Sequence, residues 1–356
     1  MLRQPGPDGA SREQDRALLH NALSKGRAGT GTHPCPQFQN NAGRPMGLWA
    51  LFARVVHGKG HGVGELARRL GTPVAELRAV RPSYREFQIP KRTGGTRRIL
   101  APDDALKALQ QRILRRLLGR LRSHPAAHGF ERGRSIVTNA NAHVGSAIVV
   151  RMDLKDFFSA TRAKRVRKYF RKIGWNRPAA LLLTHLCTFE GGLPPGAPTS
   201  PRLSNLVNYR LDARLTGLAA RRRVVDNFRG GGSIDVREIG ATYTRYADDL
   251  TFSFPTDDSA KVRYVIRVTK HIVGCEGYVL HLHKKLQIRR RHDRQQVTGL
   301  VVNERVHLPR STRRWLRAVE HRAARDGRST LTPDQLAGWR ALQKMIVQQA
   351  GGPSGE

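Results

Sequence analysis

The most informative pattern of apolar and polar positions lies between residues 243 and 254. A run rich in Tyr and Thr, Tyr243–Tyr246, precedes two aspartates, and apolar and hydroxyl residues then alternate over Leu250–Phe254. An alternation with period two predicts a strand with one buried face. Because both flanks favour β structure, the pattern predicts a hairpin that holds Asp248 and Asp249 at its tip.

A second apolar run, Ile148–Val150, predicts a buried strand that ends at Asp153. A surface turn also accepts two adjacent aspartates, so the third carboxylate decides between a turn and a functional site. Carboxylates that converge on one sheet edge form the all-oxygen, anionic site that Mg²⁺ prefers. Two ions about 3.5–4 Å apart would stabilise the attacking and leaving oxygens of a phosphoryl transfer. The sequence therefore predicts a two-Mg²⁺ site on Asp153, Asp248 and Asp249.

Helical periodicity predicts most of the remaining elements. Two short segments, Val63–Leu70 and Pro73–Val80, are separated by Gly71-Thr72 and are similar in pattern to a helix-turn-helix. Short apolar helices are more often packing elements, which is the interpretation we favour. Further helices are predicted over residues 106–121, 161–175, 178–189, 202–218, 259–274, 311–325 and from the capping box at Thr332–Gln335 to about residue 351.

Basic residues dominate the composition. Lys and Arg total 64 against 27 Asp and Glu, which gives a formal net charge of +37. This imbalance predicts a polyanionic partner, nucleic acid above all, and binding that weakens with salt. A membrane surface is the rival partner, but no apolar run has bilayer length and no signal peptide is evident, so we expect a cytoplasmic protein without a membrane partner. The three cysteines are too scattered for a metal knuckle or a disulfide framework.

Several motifs together resemble one family. Tyr246–Asp249 resembles the catalytic box of reverse transcriptases, and Thr244–Thr251 resembles its bacterial retron form. Asn139–His143 matches the retron Asn-Ala-x-x-His signature, and Val297–Gly299 matches the Val-Thr-Gly signature. Between them, Leu193–Pro201 resembles the nucleotide-pocket box. The motifs follow the family's order over roughly residues 85 to 345.

The resemblance implies an α+β right-hand polymerase fold, with fingers, a palm built on an antiparallel sheet, and a helical thumb. Before the region of resemblance, composition predicts a disordered basic tail over residues 1–45, and helical patterns predict an N-terminal helical extension over residues 46–85. Fingers and palm are expected over residues 86–297, and the thumb with a C-terminal tail over residues 298–356. Few residues follow the thumb, so we expect no ribonuclease H or endonuclease domain.

The resemblance also implies a nucleotide pocket. Lys91 and Arg97, on the basic hairpin that turns at Gly94-Gly95, are expected to grip the triphosphate of an incoming dNTP. Phe158 is expected to lie under the sugar and to exclude a 2′-hydroxyl by steric clash. Gly196 would allow close backbone approach, and Lys284 would approach the active-site phosphates.

Recognition of the cognate RNA is expected from two groups of residues. The retron signatures imply an element for structure or RNA recognition, in which His143 could equally be a satisfied structural histidine. Arginines of the thumb helix would contact the duplex backbone rather than read bases. The RNA-binding candidates are Asn139, His143, Val297, Thr298, Gly299, Arg313, Arg314 and Arg317.

The chain departs from the family in two places. Pro195 stands where the family usually has Gln, and proline lacks both the amide side chain and a backbone N–H. The usual contact to sugar or base is therefore in doubt, although the metal-binding carboxylates remain. The glycine-rich stretch from residue 221 to residue 240 is longer than a simple connection, and we expect a flexible excursion there.

The resemblance predicts an RNA-directed DNA polymerase that copies a cognate structured non-coding RNA with dNTPs. By the retron pattern, a guanosine 2′-hydroxyl of that RNA primes a branched RNA–DNA product, and a companion effector protein acts with the enzyme against phage. One alternative is another bacterial reverse transcriptase, of intron-derived, diversity-generating or untemplated type. A second alternative is a non-catalytic nucleic-acid-binding protein that keeps a decayed polymerase fold.

Overall fold

The structure is a computed structural model, and several sequence predictions lie outside the residues that it describes. These are the tail over residues 1–45, the first part of the N-terminal extension, Lys91 and Lys284. The structure describes residues 60–90, 94–220, 224–227, 233–236, 238–281, 285–327 and 330–350.

The central sheet of the described chain has the strand order β6-β7-β3-β8, and all of its neighbours are antiparallel. Its two middle strands are the ones predicted to carry the aspartates. A separate hairpin, β1–β2, corresponds to the predicted basic hairpin. The strands are β1 Tyr84–Pro90, β2 Thr96–Pro102, β3 Ile148–Asp153, β4 Val224–Asn227, β5 Ser233–Val236, β6 Thr242–Tyr246, β7 Asp249–Phe254, β8 Gln287–Arg290, β9 Gln296–Val297 and β10 Leu300–Val301.

Strand β3 shows why the sheet forms here and which way its acidic end faces. Ile148, Val150 and Met152 alternate along the strand and pack into the largest buried cluster. Arg151 and Asp153 have the opposite parity, so they lie on the other face of the sheet. The apolar alternation therefore fixes the orientation of the carboxylate as well as the strand.

Helices cover the sheet and extend from it on both sides. The pair α1–α2 packs through Leu66, Leu70 and Leu77 into a second buried cluster that also contains Phe170 and Leu203. This burial confirms them as packing elements. The helices are α1 Val63–Leu70, α2 Val74–Ala79, α3 Asp104–Ile113, α4 Ile136–Asn141, α5 Phe157–Ala160, α6 Ala163–Lys172, α7 Arg177–Cys187, α8 Ser200–Val207, α9 Tyr209–Ala219, α10 Ser259–Cys275, α11 Arg310–Asp326 and α12 Pro333–Ala350.

A third buried cluster joins the C-terminal helices to the palm. Leu316 of α11 and Ile346 of α12 pack with Val137 of α4 and Val149 of β3. Reciprocal hydrogen bonds between Thr332 and Gln335 form the predicted capping box at the start of α12. None of the described helices combines the length and the apolar character needed to cross a membrane.

Three sequence predictions are corrected in detail. The predicted helix over residues 106–121 changes from α3 into a π-helical turn at Leu114–Leu118. The helix predicted over residues 202–218 is divided into α8 and α9 at Asn208, whose side chain bonds back to Ser204 O at 2.9 Å. The stretch predicted as a flexible excursion contains the antiparallel pair β4–β5.

Candidate active site

Three aspartates meet at one edge of the central sheet. Asp153, the last residue of β3, lies directly opposite Asp249, the first residue of β7. Asp248 precedes Asp249 in the turn, and the backbone carbonyl of Asp248 accepts a hydrogen bond from Leu154 N at 2.9 Å. The register of two antiparallel strands thus brings together carboxylates that are almost one hundred residues apart, as the sequence predicts.

The turn that carries Asp248 has an unusual backbone. Ala247 adopts a φ of 56°, in the left-handed region that residues other than glycine rarely occupy. Arg245 holds this conformation from below, because its Nη1 donates to Ala247 O at 3.1 Å. Such strain, typically about 1–3 kcal/mol, persists only where surrounding contacts fix it. A buried arginine therefore fixes the conformation of the acidic turn.

Two cations contact the aspartates. Lys285 Nζ lies 2.6 Å from Asp153 Oδ1, and Arg151 Nη2 lies 3.2 Å from Asp249 Oδ2. The side chain of Lys285 is 50% exposed, so it can leave without disturbing the core. Both cations reduce the repulsion among carboxylates that are held close together.

The electrostatics of the site follow from burial and crowding. Burial raises the pKa of Asp248, and the neighbouring charges of Asp249 and Asp153 raise it further. Burial also raises the pKa of Asp249, and the adjacent Arg151 offsets part of that effect. A site that disfavours its own negative charge gains by binding a cation.

The donor set fits a divalent ion in chemical type. All donors are carboxylate oxygens, which hard cations such as Mg²⁺ prefer. Within the described ranges, no group of three or more His, Cys, Asp or Glu side chains is spaced to hold a metal ion in this conformation. Lys285 contacts one oxygen of Asp153, and Arg151 contacts one oxygen of Asp249. These cations therefore compete with a metal ion for the two carboxylates.

Comparison with known proteins identifies the family of this chain. The family described as reverse transcriptase (RNA-dependent DNA polymerase) matches residues 89–301. The chain is 38% identical over 308 residues to the retron Mx65 reverse transcriptase of Myxococcus xanthus, which covers 79% of this chain and 67% of that protein. The chain belongs to the retron reverse transcriptases. Its class of activity is RNA-directed DNA polymerisation, and the right-hand polymerase fold predicted from the motifs is confirmed.

Two further retron enzymes support this assignment. The retron Mx162 reverse transcriptase of Myxococcus xanthus is 37% identical over 328 residues, covering 80% of this chain and 64% of that protein. The retron Ec86 reverse transcriptase of Escherichia coli is 36% identical over 241 residues, covering 67% of this chain and 69% of that protein. The chain thus spans about two thirds of the length of these relatives. The alternative of a decayed binding protein loses its support.

The predicted nucleotide residues Phe158 and Arg97 differ in their surroundings. The ring of Phe158 is half-buried and lies 5.4 Å from the ring of Phe157. Arg97 is exposed on β2, near the turn of the β1–β2 hairpin. Arg98, by contrast, forms salt bridges with Glu86 at 2.8 Å and with Glu190 at 2.6 Å. Of these two arginines, Arg97 is therefore the better placed to meet a ligand.

The loop at Pro195 contacts the β1–β2 hairpin. Leu100 N of β2 donates to Pro195 O at 2.7 Å, a contact that needs only the carbonyl. Gly196 follows with a φ of 117°, and a Cβ there would lie 2.8 Å from Leu100 O. The departure to proline is therefore compatible with the backbone contact that this loop makes.

Asn139 and His143 are both fully buried. His143 Nδ1 lies 2.8 Å from Ser253 Oγ of β7, and Nε2 lies 2.7 Å from Thr244 Oγ1 of β6. Burial lowers the pKa of His143 to about 3, so the ring is neutral at physiological pH. This burial contradicts direct RNA contact by either side chain and favours the structural role that the sequence left open for His143.

The remaining RNA-binding candidates differ in accessibility. Val297 is buried, whereas Thr298 and Gly299 form the β9–β10 turn with φ values of 47° and 87°. Thr298 Oγ1 donates to Ile136 O at 2.9 Å, which ties this turn to α4. On α11, the three candidate arginines are all exposed: Arg313, Arg314 and Arg317.

Several residues of the site are absent from the sequence predictions. Lys285 contacts Asp153, whereas the sequence prediction named its neighbour Lys284, which lies outside the described residues. Arg245 is completely buried in a paired strand, and nothing in its local pattern distinguishes it from an exposed arginine. Phe130 follows a glycine in a segment of basic and small residues, and its positive φ of 62° is visible only in the fold.

Proposed function

We propose that the chain copies a structured non-coding RNA, encoded beside its own gene, into DNA. The convergence of Asp153, Asp248 and Asp249 at one sheet edge carries the proposal, because phosphoryl transfer needs closely spaced carboxylates to hold the ions that bind the substrate phosphates. The net charge of +37 supports a nucleic-acid substrate. The retron relatives point to RNA as the template.

Mg²⁺ is the proposed cofactor. Reverse transcriptases generally use divalent metal ions, and the oxygen-only donor set favours Mg²⁺ over softer metals. When bound, two such ions would stabilise the attacking and leaving oxygens of the reaction. Asp153, Asp248 and Asp249 would hold them. Lys285 would then be free to meet the phosphates, the role that the sequence predicts for Lys284.

Nucleotide selection follows from the side chains around this edge. Phe158 would lie under the sugar and exclude a 2′-hydroxyl, which selects dNTPs over rNTPs. Arg97, together with Lys91, would neutralise charge on the triphosphate. Gly196 would let the backbone of the Pro195 loop approach the nucleotide. These roles describe how the chain orients a dNTP for attack by the primer.

Priming and biological role follow the retron pattern. A guanosine 2′-hydroxyl of the template RNA would attack the first dNTP, so the product is a branched RNA–DNA molecule. Arg313, Arg314 and Arg317 would contact the backbone of the RNA–DNA duplex, and the Thr298-Gly299 turn would contact the cognate RNA. We place this activity in the cytoplasm, with an effector protein as partner in anti-phage defence.

Co-expression with the flanking genomic sequence tests the proposal. The protein would be purified in wild-type form and as Asp248→Asn, and its bound nucleic acid would be sized with and without ribonuclease. DNA that occurs only with the wild type, and that shortens after ribonuclease treatment, is the expected result. Debranching enzyme should release the RNA from that DNA, since the joint is a 2′,5′-linkage.

Other outcomes separate the parts of the proposal. Bound RNA without DNA in either sample would overturn retron-type priming. DNA that resists both ribonuclease and debranching enzyme would indicate another mode of priming by the same polymerase. Equal amounts of DNA with the wild type and Asp248→Asn would remove Asp248 from the catalytic residues.

A further inference from the structure

Phe130 combines exposure with backbone strain beside the catalytic turn. Its side chain is 45% exposed, although large aromatic residues usually bury most of their surface. Its φ of 62° lies in the left-handed region, where a bulky residue is an outlier. Strain of this kind costs about 1–3 kcal/mol and concentrates at functional sites. The exposure and the strain together indicate a functional role for the Phe130 side chain.

Both neighbours of Phe130 in the chain, Gly129 and Glu131, make contacts that hold them near the acidic turn. On one side, Asn205 Nδ2 donates to Gly129 O at 2.7 Å, and a Cβ on Gly129 would lie 2.8 Å from Ala247 N. On the other side, Glu131 forms a salt bridge with Arg202 of α8 and accepts from Asn205 Nδ2 at 2.8 Å. Phe130 is thus held rigidly relative to the turn that carries Asp248.

The ring of Phe130 belongs to an aromatic group at the nucleotide site. Its centroid lies 6.1 Å from that of Phe158, the proposed sugar gate, and 6.5 Å from that of Tyr246, beside the acidic turn. Phe158 is backed by Phe157, whose ring stacks on Tyr278 at 5.9 Å. The outer end of this aromatic series is the exposed face of Phe130.

We propose that Phe130 is a substrate-binding residue whose ring packs against a nucleobase of the base pair at the active site. Aromatic side chains contact bases of any sequence, because every base has a π face. The inference rests on the proposed polymerase function and adds a contact to the same site. The base belongs either to the RNA template or to the incoming dNTP, and the experiment below distinguishes these two sources.

Two variants separate the ring from the backbone. Phe130→Asn removes the ring and keeps a residue that tolerates a positive φ, so the loop should retain its shape. Phe130→Tyr keeps the ring. Leu181→Asn is the matched control, since Leu181 is also an apolar side chain, 42% exposed, on the outer helix α7. Thermal unfolding of all variants would verify that they fold.

The probe is a short RNA template annealed to a DNA primer that ends in a dideoxynucleotide, so binding is measured without turnover. 2-Aminopurine replaces the template base that pairs with the incoming nucleotide. Ring contact with the template base predicts quenched fluorescence in the wild-type complex and in Phe130→Tyr, and recovered fluorescence in Phe130→Asn. Contact with the incoming base instead predicts that the wild-type and Phe130→Asn complexes fluoresce equally in the absence of dTTP. It also predicts a dTTP dissociation constant that rises by roughly five-fold or more in Phe130→Asn.

Equal fluorescence and equal dTTP affinity in the wild type, Phe130→Asn and Leu181→Asn would overturn the inference. If Phe130→Tyr lost quenching or dTTP affinity to the same extent as Phe130→Asn, the inference would also be overturned, because the ring is present in the tyrosine variant. Extension of an ordinary primer by the wild type is measured in parallel. Failure of that extension would count against the proposed function, whereas the binding measurements would still decide the role of Phe130.

Discussion

Arg245 and Asp212 form a bidentate ion pair that is completely buried beneath the catalytic turn. Arg245 Nε and Nη2 donate to the two carboxylate oxygens at 2.8 and 2.7 Å, and neither side chain is exposed. The third guanidinium nitrogen, Nη1, bonds Asn205 Oδ1 and Ala247 O. The pair therefore connects α9 and α8 to the turn that carries Asp248.

Replacing Asp212 should destabilise the protein severely. Asp212→Asn leaves a buried guanidinium without its counter-charge, which typically costs about 3–5 kcal/mol. Urea unfolding followed by circular dichroism measures this loss. The matched control is Glu320→Gln, because Glu320 pairs with Arg340 at 3.2 Å on the surface and should contribute less than about 1 kcal/mol. A similar loss in both variants would show that the buried pair contributes no more than the exposed one.

Gly129→Ala should impair catalysis more than stability. The added Cβ would lie 2.8 Å from Ala247 N, so the acidic turn must shift. A displacement of about 1 Å can reduce a rate by roughly one hundred-fold. Single-turnover extension of a primer on an RNA template measures the effect, with RNA affinity as a second reading. The control is Gly64→Ala, because a Cβ there meets no atom within 4 Å and alanine favours the helix α1. Normal turnover in Gly129→Ala would show that the turn tolerates the displacement.

The strands and most helices of the fold could be predicted from local pattern. The alternation over Leu250–Phe254 and the apolar run before Asp153 correspond to β7 and β3, and their register brings the carboxylates together as predicted. The break at Asn208 could not be predicted in this way, because the apolar spacing continues through it. The β4–β5 hairpin was obscured by the glycines that lie between its strands.

The supporting residues of the site depend on contacts that have no local signal. Asp212 and Arg245 lie 33 positions apart, and each is typical of a surface residue when considered alone. Lys285 reaches Asp153 across 132 positions, and no local pattern indicates this contact. The motifs thus identify the reacting groups, whereas the groups that position them require the tertiary structure.

Stability should fall as the solution becomes acidic, in part because of His143. Burial lowers the pKa of His143 to about 3, whereas an unfolded histidine titrates near 6.5. Between these values the unfolded chain binds a proton that the native chain does not. The contribution of His143 is therefore fully present above about pH 6.5 and is lost as the pH falls, at roughly 1.4 kcal/mol per pH unit.

Unfolding free energies measured in urea between pH 7.5 and pH 5 would check this pH dependence. His143→Gln should reduce the slope of the unfolding free energy against pH by the contribution of about one proton, roughly 1.4 kcal/mol per pH unit. Thr244→Val removes a partner that lies 2.7 Å from His143 Nε2, and it should lower stability while the histidine still contributes to the slope. Equal slopes in the wild type and His143→Gln would contradict the prediction. His128, whose pKa burial lowers to about 4, adds a further component in both proteins.

Removing the cation on Asp153 should tighten metal binding. Lys285 Nζ lies 2.6 Å from Asp153 Oδ1, so the ammonium group competes with an incoming divalent ion for this carboxylate. The side chain of Lys285 is 50% exposed, whereas that of Asp153 is 8% exposed. An ion pair with a solvent-exposed partner contributes about 0.5–1 kcal/mol, which corresponds to a roughly two- to five-fold lower dissociation constant in Lys285→Met. Titration of the RNA-free protein with Mn²⁺, followed by electron paramagnetic resonance, measures this constant.

Lys155→Met is the control, since it removes the same charge from an exposed residue two positions beyond Asp153. Equal tightening in both variants would indicate a general effect of net charge, and weaker binding in Lys285→Met would show that the lysine supports the metal site instead of competing for it.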